Sequence, residues 1–108
     1  MRNNDFYYTM VGENPKELGN YLADFFKNSP YHLEVCANFI DSNPGVRITI
    51  TERSTINKNN YYYLSLLFYV KQDGGETYYK PFGIESEIRY TKEDVLAFVL
   101  STLLKSDH

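Results

Sequence analysis

At Pro30 the hydrophobic period of the chain drops from about 3.6 residues to about 2, committing the segment before it to a helix and the one after it to strands. Upstream, Asn14-Pro15-Lys16-Glu17 supplies an N-cap residue, a proline at the first helical position and a glutamate that can reach back to the cap. Leu18, Tyr21, Leu22, Phe25 and Phe26 follow at the spacing of one apolar stripe. This helix should end at Asn28-Ser29, because the residue before a proline is driven out of the α region. Downstream, Tyr31, Leu33, Val35, Ala37 and Phe39 alternate with His32, Glu34, Cys36 and Asn38, the pattern of a half-buried strand. Asp41-Ser42-Asn43-Pro44-Gly45 is turn chemistry. Val46, Ile48 and Ile50, alternating with Arg47, Thr49, Thr51 and Arg53, then form the return strand of a hairpin.

After the polar loop Ser54 to Asn60, the segment Tyr61 to Lys71 is the longest predicted strand. Tyr62, Leu64, Leu66, Phe68 and Val70 form its more apolar face, assigned to the core, and Tyr61, Tyr63, Ser65, Leu67 and Tyr69 its other face. Gln72-Asp73-Gly74-Gly75 predicts a tight turn, and Glu76 to Lys80 a strand that Pro81 places at a sheet edge or ends. Phe6 to Val11 reads as a further strand, while Ile84 to Tyr90 suits either a loop or a short strand. Thr91-Lys92-Glu93-Asp94 resembles a capping box with aspartate in place of glutamate, opening a helix over 92–104. Val95, Leu96, Phe98, Val99, Leu100, Leu103 and Leu104 make a stripe wider than packing on a sheet requires, which implies deep burial or cover by a second chain. The order β-α-β-β-β-β-α predicts an α+β fold: an antiparallel sheet of four to five strands with both helices packed on one face.

The length of 108 residues suits a single domain spanning 1–108 with one core. Cys36 is the only cysteine, so no disulfide forms within the chain. No apolar run is long enough to span a membrane, and the N-terminus Met1-Arg2-Asn3-Asn4-Asp5 lacks the apolar core of a signal peptide, so a cytoplasmic protein is expected. A net charge of −3 disfavours nucleic-acid binding through phosphate neutralisation, and 14 acidic residues against 11 basic ones are too balanced for DNA mimicry. The bias toward Asn, Tyr, Ile, Lys and Phe, with only Ala23, Ala37 and Ala97 as alanines, is what an AT-rich gene would produce, so a low-GC bacterium or one of its phages or mobile elements is the expected source.

The sequence carries few groups arranged for catalysis. Gly74-Gly75 is not followed by the elements of a phosphate loop, and no serine sits in a nucleophile elbow. His32, Glu34 and Cys36 share a strand face, but His32 and Cys36 lie about 13 Å apart at a strand's rise, too far for one ion or a nucleophile–base pair. They read as polar residues on a half-exposed face, with Cys36 as a small hydrophobe. Glu85 with Glu87, and Glu93 with Asp94, read as solvated charges and helix N-terminal acids. No catalytic, metal or cofactor residue is assigned, and the chain is not expected to be an enzyme.

Tyrosine, with 11 copies, is the remaining signal. Tyr61, Tyr63 and Tyr69 fall on the sheet face away from the core, beside Arg47, Arg53 and Lys71. Rigid aromatics with arginine nearby are the composition of protein-binding hot spots. The expected function is therefore a small protein-binding module, an inhibitor or accessory factor of a phage or mobile element, acting by steric occlusion of a larger protein partner. An anti-CRISPR-type protein is one example. A toxin-immunity protein meets the same physical needs. Two further alternatives are a homodimeric scaffold built through helix 92–104 or the open face, and a single-stranded nucleic-acid binder stacking bases on that face.

Overall fold

A computed structural model of the chain describes residues 14–52, 62–85 and 87–106, with the backbone alone for Asn14, Tyr62, Tyr63 and Ser106. Its elements are α1 (Asn14–Phe25), β1 (Tyr31–Ala37), β2 (Gly45–Glu52), β3 (Tyr62–Asp73), β4 (Glu76–Pro81) and α2 (Lys92–Ser106). The strands form one antiparallel sheet in the order β1-β2-β3-β4. The predicted α+β class, the four middle strands and both helices are thus present. The strand predicted at Phe6 to Val11 lies outside the described residues. Among the described residues of Ile84 to Tyr90, Tyr90 is the one that pairs with the sheet, bridging to Tyr79 through backbone hydrogen bonds of 2.8 and 3.0 Å. Pro81 has no N–H with which to prolong a ladder, and Gly83, at φ 84°, turns the chain away immediately afterwards.

Alternation along the strands sends Leu33, Val46, Ile48, Ile50, Phe68, Val70 and Tyr79 into one core with Leu18, Leu22 and Phe26 of the α1 region and Val95, Leu96, Val99 and Leu103 of α2. Both helices therefore cover the same face of the sheet. Each of these side chains contributes about 1.5–3 kcal/mol by leaving water. At the sheet centre Phe68 is fully buried, its ring 5.4 Å from that of Phe98 and 6.4 Å from that of Tyr90. This aromatic group absorbs much of the wide stripe on α2. Phe98 and Leu100 are half-buried by their own chain, and only Leu104 stands out, 76% exposed. The capping box forms as read: the Asp94 N–H donates to Thr91 Oγ1 at 3.2 Å, and the Thr91 N–H donates to Asp94 Oδ2 at 3.0 Å.

Two details of the helix and strand patterns are corrected. The α-helix ends at Phe25 and continues through a turn over 26–28, where the Ser29 hydroxyl donates to the Phe26 carbonyl at 2.8 Å. At about 100° per residue the buried set Pro15, Leu18, Leu22 and Phe26 centres the stripe away from Phe25, which sits on its flank and is 54% exposed. Phe39, expected on the core side of β1, is exposed, and Ile40 is buried instead. Ladder parity fails there because β1 ends at Ala37 and the chain enters a separate two-residue turn.

That turn is Asp41-Ser42, flanked by Ile40 and Asn43, which exchange hydrogen bonds of 2.8 and 2.9 Å. Both central residues have positive φ, 49° and 69°, the conformation of a type I′ turn that matches the twist of a hairpin. Serine in the left-handed region costs energy that glycine does not. Ser42→Gly should therefore raise stability by about 1 kcal/mol, read as a shift of the urea midpoint at constant slope. The second hairpin turn is Gly74-Gly75, as expected.

Candidate functional site

The pairing register fixes which side chains share the face opposite the core. Arg47 stands between Cys36 and Leu67, Thr49 between Glu34 and Ser65, Tyr69 between Gly45 and Lys80, and Lys71 beside Tyr78. Of the residues singled out from sequence, the structure brings Arg47, Tyr69 and Lys71 onto this face. The Lys71 ammonium lies 5.2 Å from the centre of the Tyr69 ring. Arg53 and Tyr61 lie outside the described residues. Tyr63 falls at a register shift: Ile50 pairs with Leu64 and Thr51 with Tyr62, so Tyr63 is an extra residue in β3. Strict alternation, on which the grouping of Tyr61 and Tyr63 with Tyr69 rested, does not run through such a bulge.

The sequence reading missed the wall of the site, the segment that follows β4. The Phe82 ring packs 6.0 Å from that of Tyr69. Seven residues further on, the Arg89 guanidinium stacks 4.5 Å over Tyr78 and binds the Asp73 carboxylate at 2.8 Å, which raises its pKa above the ordinary arginine value. Pinned by Arg89 and by the Tyr79–Tyr90 bridge, this segment borders the open face. It encloses with β3 and β4 a groove of about 580 Å³. Tyr69, Lys71 and Lys80 line the groove from the strands, and Phe82, Ile84, Glu85 and Glu87 from the segment. Phe82 and Ile84 are 47% and 48% exposed. The signal in the sequence was Pro81-Phe82-Gly83-Ile84: Phe82 donates the last backbone hydrogen bond to Leu67 at 2.9 Å before Gly83, at positive φ, turns Ile84 away from the sheet.

The groove carries both signs of charge: Lys71 and Lys80 from the strands, Glu85 and Glu87 from the segment. Among the described residues no ion pair joins Lys71, Lys80, Glu85 or Glu87 to any partner. Elsewhere on the face His32 Nε2 lies 3.2 Å from Glu34 Oε2, both exposed, and the described residues hold no cluster of three metal-ligating side chains. Cys36 is an exposed thiol rather than a packed small hydrophobe. Glu85, Glu87 and Glu93 are exposed, and Asp94 serves the cap of α2.

On the helix side, Tyr79 is the perturbed group. Burial, and secondarily the charge of Glu17, push its phenol up to about 12 from 10. Below pH 10 the folded and unfolded chains both keep this proton, and the stability it carries is complete. Between pH 10 and 12 the unfolded chain releases the proton first, so stability falls as pH rises, by on the order of 2 kcal/mol. Tyr79→Phe should flatten this part of the pH profile of the urea midpoint; an unchanged profile would mean that other groups set it.

Comparison with known proteins adds no functional assignment: family models, curated proteins and solved structures all gave no match. No helix among the described residues is long and apolar enough to cross a membrane.

Proposed function

We propose that the protein is a non-enzymatic binding module that acts by covering a surface of a larger protein, as an inhibitor or accessory factor of the kind encoded by phages and mobile elements. The observation that carries this reading is the groove on the open face, where Tyr69, Phe82 and Ile84 present aromatic and aliphatic surface beside Lys71 and Lys80. Such a mixture of rigid aromatics and charge on an otherwise polar surface is how protein-binding hot spots are composed. A specific interface of ordinary size takes about 800 Å² from each partner, so it would extend from the groove across Leu67 and Arg47 toward β1.

Cys36 offers a direct test, because it is the only cysteine and lies on that face opposite Arg47. Coupling a bulky polyethylene glycol maleimide to Cys36 should block capture of the partner from lysate of the source organism. The same group on a cysteine introduced at Leu104, in a Cys36→Ser background, should leave capture intact. Capture that survives modification of Cys36 and is lost at Leu104 would move the interface to the helical side.

A further inference from the structure

We infer that the groove beside β4 receives a short segment of the partner in which an apolar residue stands between an acidic and a basic one. This rests on the binding-module reading and narrows it. Tyr69 and Lys80 are opposite each other, as are Lys71 and Tyr78, which makes Lys71 and Lys80 diagonal neighbours on the sheet. Glu85 and Glu87 lie two positions apart on the segment across the groove. The strands thus bring two cations to the groove and the segment two anions, in a lining that also holds Tyr69, Phe82 and Ile84. Like charges set close together repel, and among the described residues none of the four has an ion-pair partner. A ligand carrying one acid and one base relieves both repulsions. A uniformly anionic strand such as RNA meets the glutamates, and a uniformly basic peptide meets the lysines, so each gains on one side what it loses on the other. The apolar residue of the segment fills the space against Tyr69, Phe82 and Ile84 and supplies the water exclusion that strengthens the charge contacts.

A phage-displayed library of random peptides, panned against the full chain and counter-panned against Tyr69→Ala with Phe82→Ala, tests this. Enriched peptides should show an apolar residue flanked by acid and base. Against Lys71→Glu with Lys80→Glu, shown to fold by circular dichroism, they should bind about tenfold more weakly, and the difference should shrink in high salt. Fresh panning on that variant should select basic residues where the wild type selects acidic ones. Peptides that need Tyr69 and Phe82 but carry no charge order would overturn this inference while leaving the binding module standing. Failure to enrich any peptide dependent on Tyr69 and Phe82 would count against both.

Discussion

Phe68→Ala is expected to remove about 4 kcal/mol of stability and to lower the melting temperature by roughly 15 °C. The Phe68 side chain serves several parts of the fold at once. Its ring is fully buried, pairs across the ladders with Val46 and Pro81, and packs edge-on against Phe98 of α2 while leaning on Tyr90. Truncation opens a cavity that the sheet cannot close, since the backbone on both sides of β3 is held in ladders. It also removes the surface on which α2 and the end of the segment after β4 both rest. Folded domains hold only about 5–15 kcal/mol in reserve, so the variant should sit close to its unfolding threshold. Phe68→Leu keeps most of the volume and should lose less than half as much. Urea denaturation followed by circular dichroism measures both, and a loss below about 1 kcal/mol for the alanine variant would mean that the core is centred elsewhere.

Gly45→Ala should cost about 3 kcal/mol for a different reason. A methyl group at this position would lie 2.8 Å from the Phe68 carbonyl oxygen, 2.9 Å from that of Asn38 and 2.7 Å from Ile40 Cδ1. The isoleucine can rotate away. The two carbonyls belong to the chain on either side of β2, and the Asn38 N–H is itself bonded to the Gly45 carbonyl at 2.9 Å. Making room therefore means breaking ladder geometry on both flanks. The double variant Gly45→Ala with Ile40→Ala separates these contributions. If the carbonyls set the cost, Gly45→Ala costs as much in the Ile40→Ala background as in the wild type. Disappearance of that cost in the Ile40→Ala background would assign it to the side chain instead.

Gly45 also shows where sequence reasoning loses its grip. Asp41-Ser42-Asn43-Pro44-Gly45 reads as turn chemistry throughout, since those residue types favour turns through their own backbone preferences. Within that run Asp41-Ser42 makes the turn, while the glycine is needed for space within a strand, a requirement set by neighbours that become adjacent only after folding. The elements themselves were legible because their signals are local: the stripe of α1, the alternation of β1 to β4 and the Thr91–Asp94 cap each lie within a few residues. Half of the candidate site was legible for the same reason, as Arg47, Tyr69 and Lys71 follow from alternation alone. For Tyr63 alternation fixes no face, because it lies at a register shift that carries no sequence mark. The wall of the groove was not legible, because Phe82 and Ile84 acquire meaning from Arg89, which folds back to Asp73 over a distance no periodicity describes.

If the groove is the contact surface, affinity should depend on Tyr69 and Phe82 and not on the apolar residues exposed elsewhere. The most direct measurement compares capture of the partner from source lysate by the wild type, by Tyr69→Ala with Phe82→Ala, and by Phe25→Ala with Leu104→Ala, each checked for an intact fold by thermal melting. Hot-spot aromatics typically cost 2 kcal/mol or more on truncation, so the first pair should weaken binding about a hundredfold or beyond. The second pair, 54% and 76% exposed at the ends of the two helical regions, should bind as the wild type does. Unchanged capture by the Tyr69 and Phe82 variant, with loss in the Phe25 and Leu104 variant, would contradict the account and place the function on the helices.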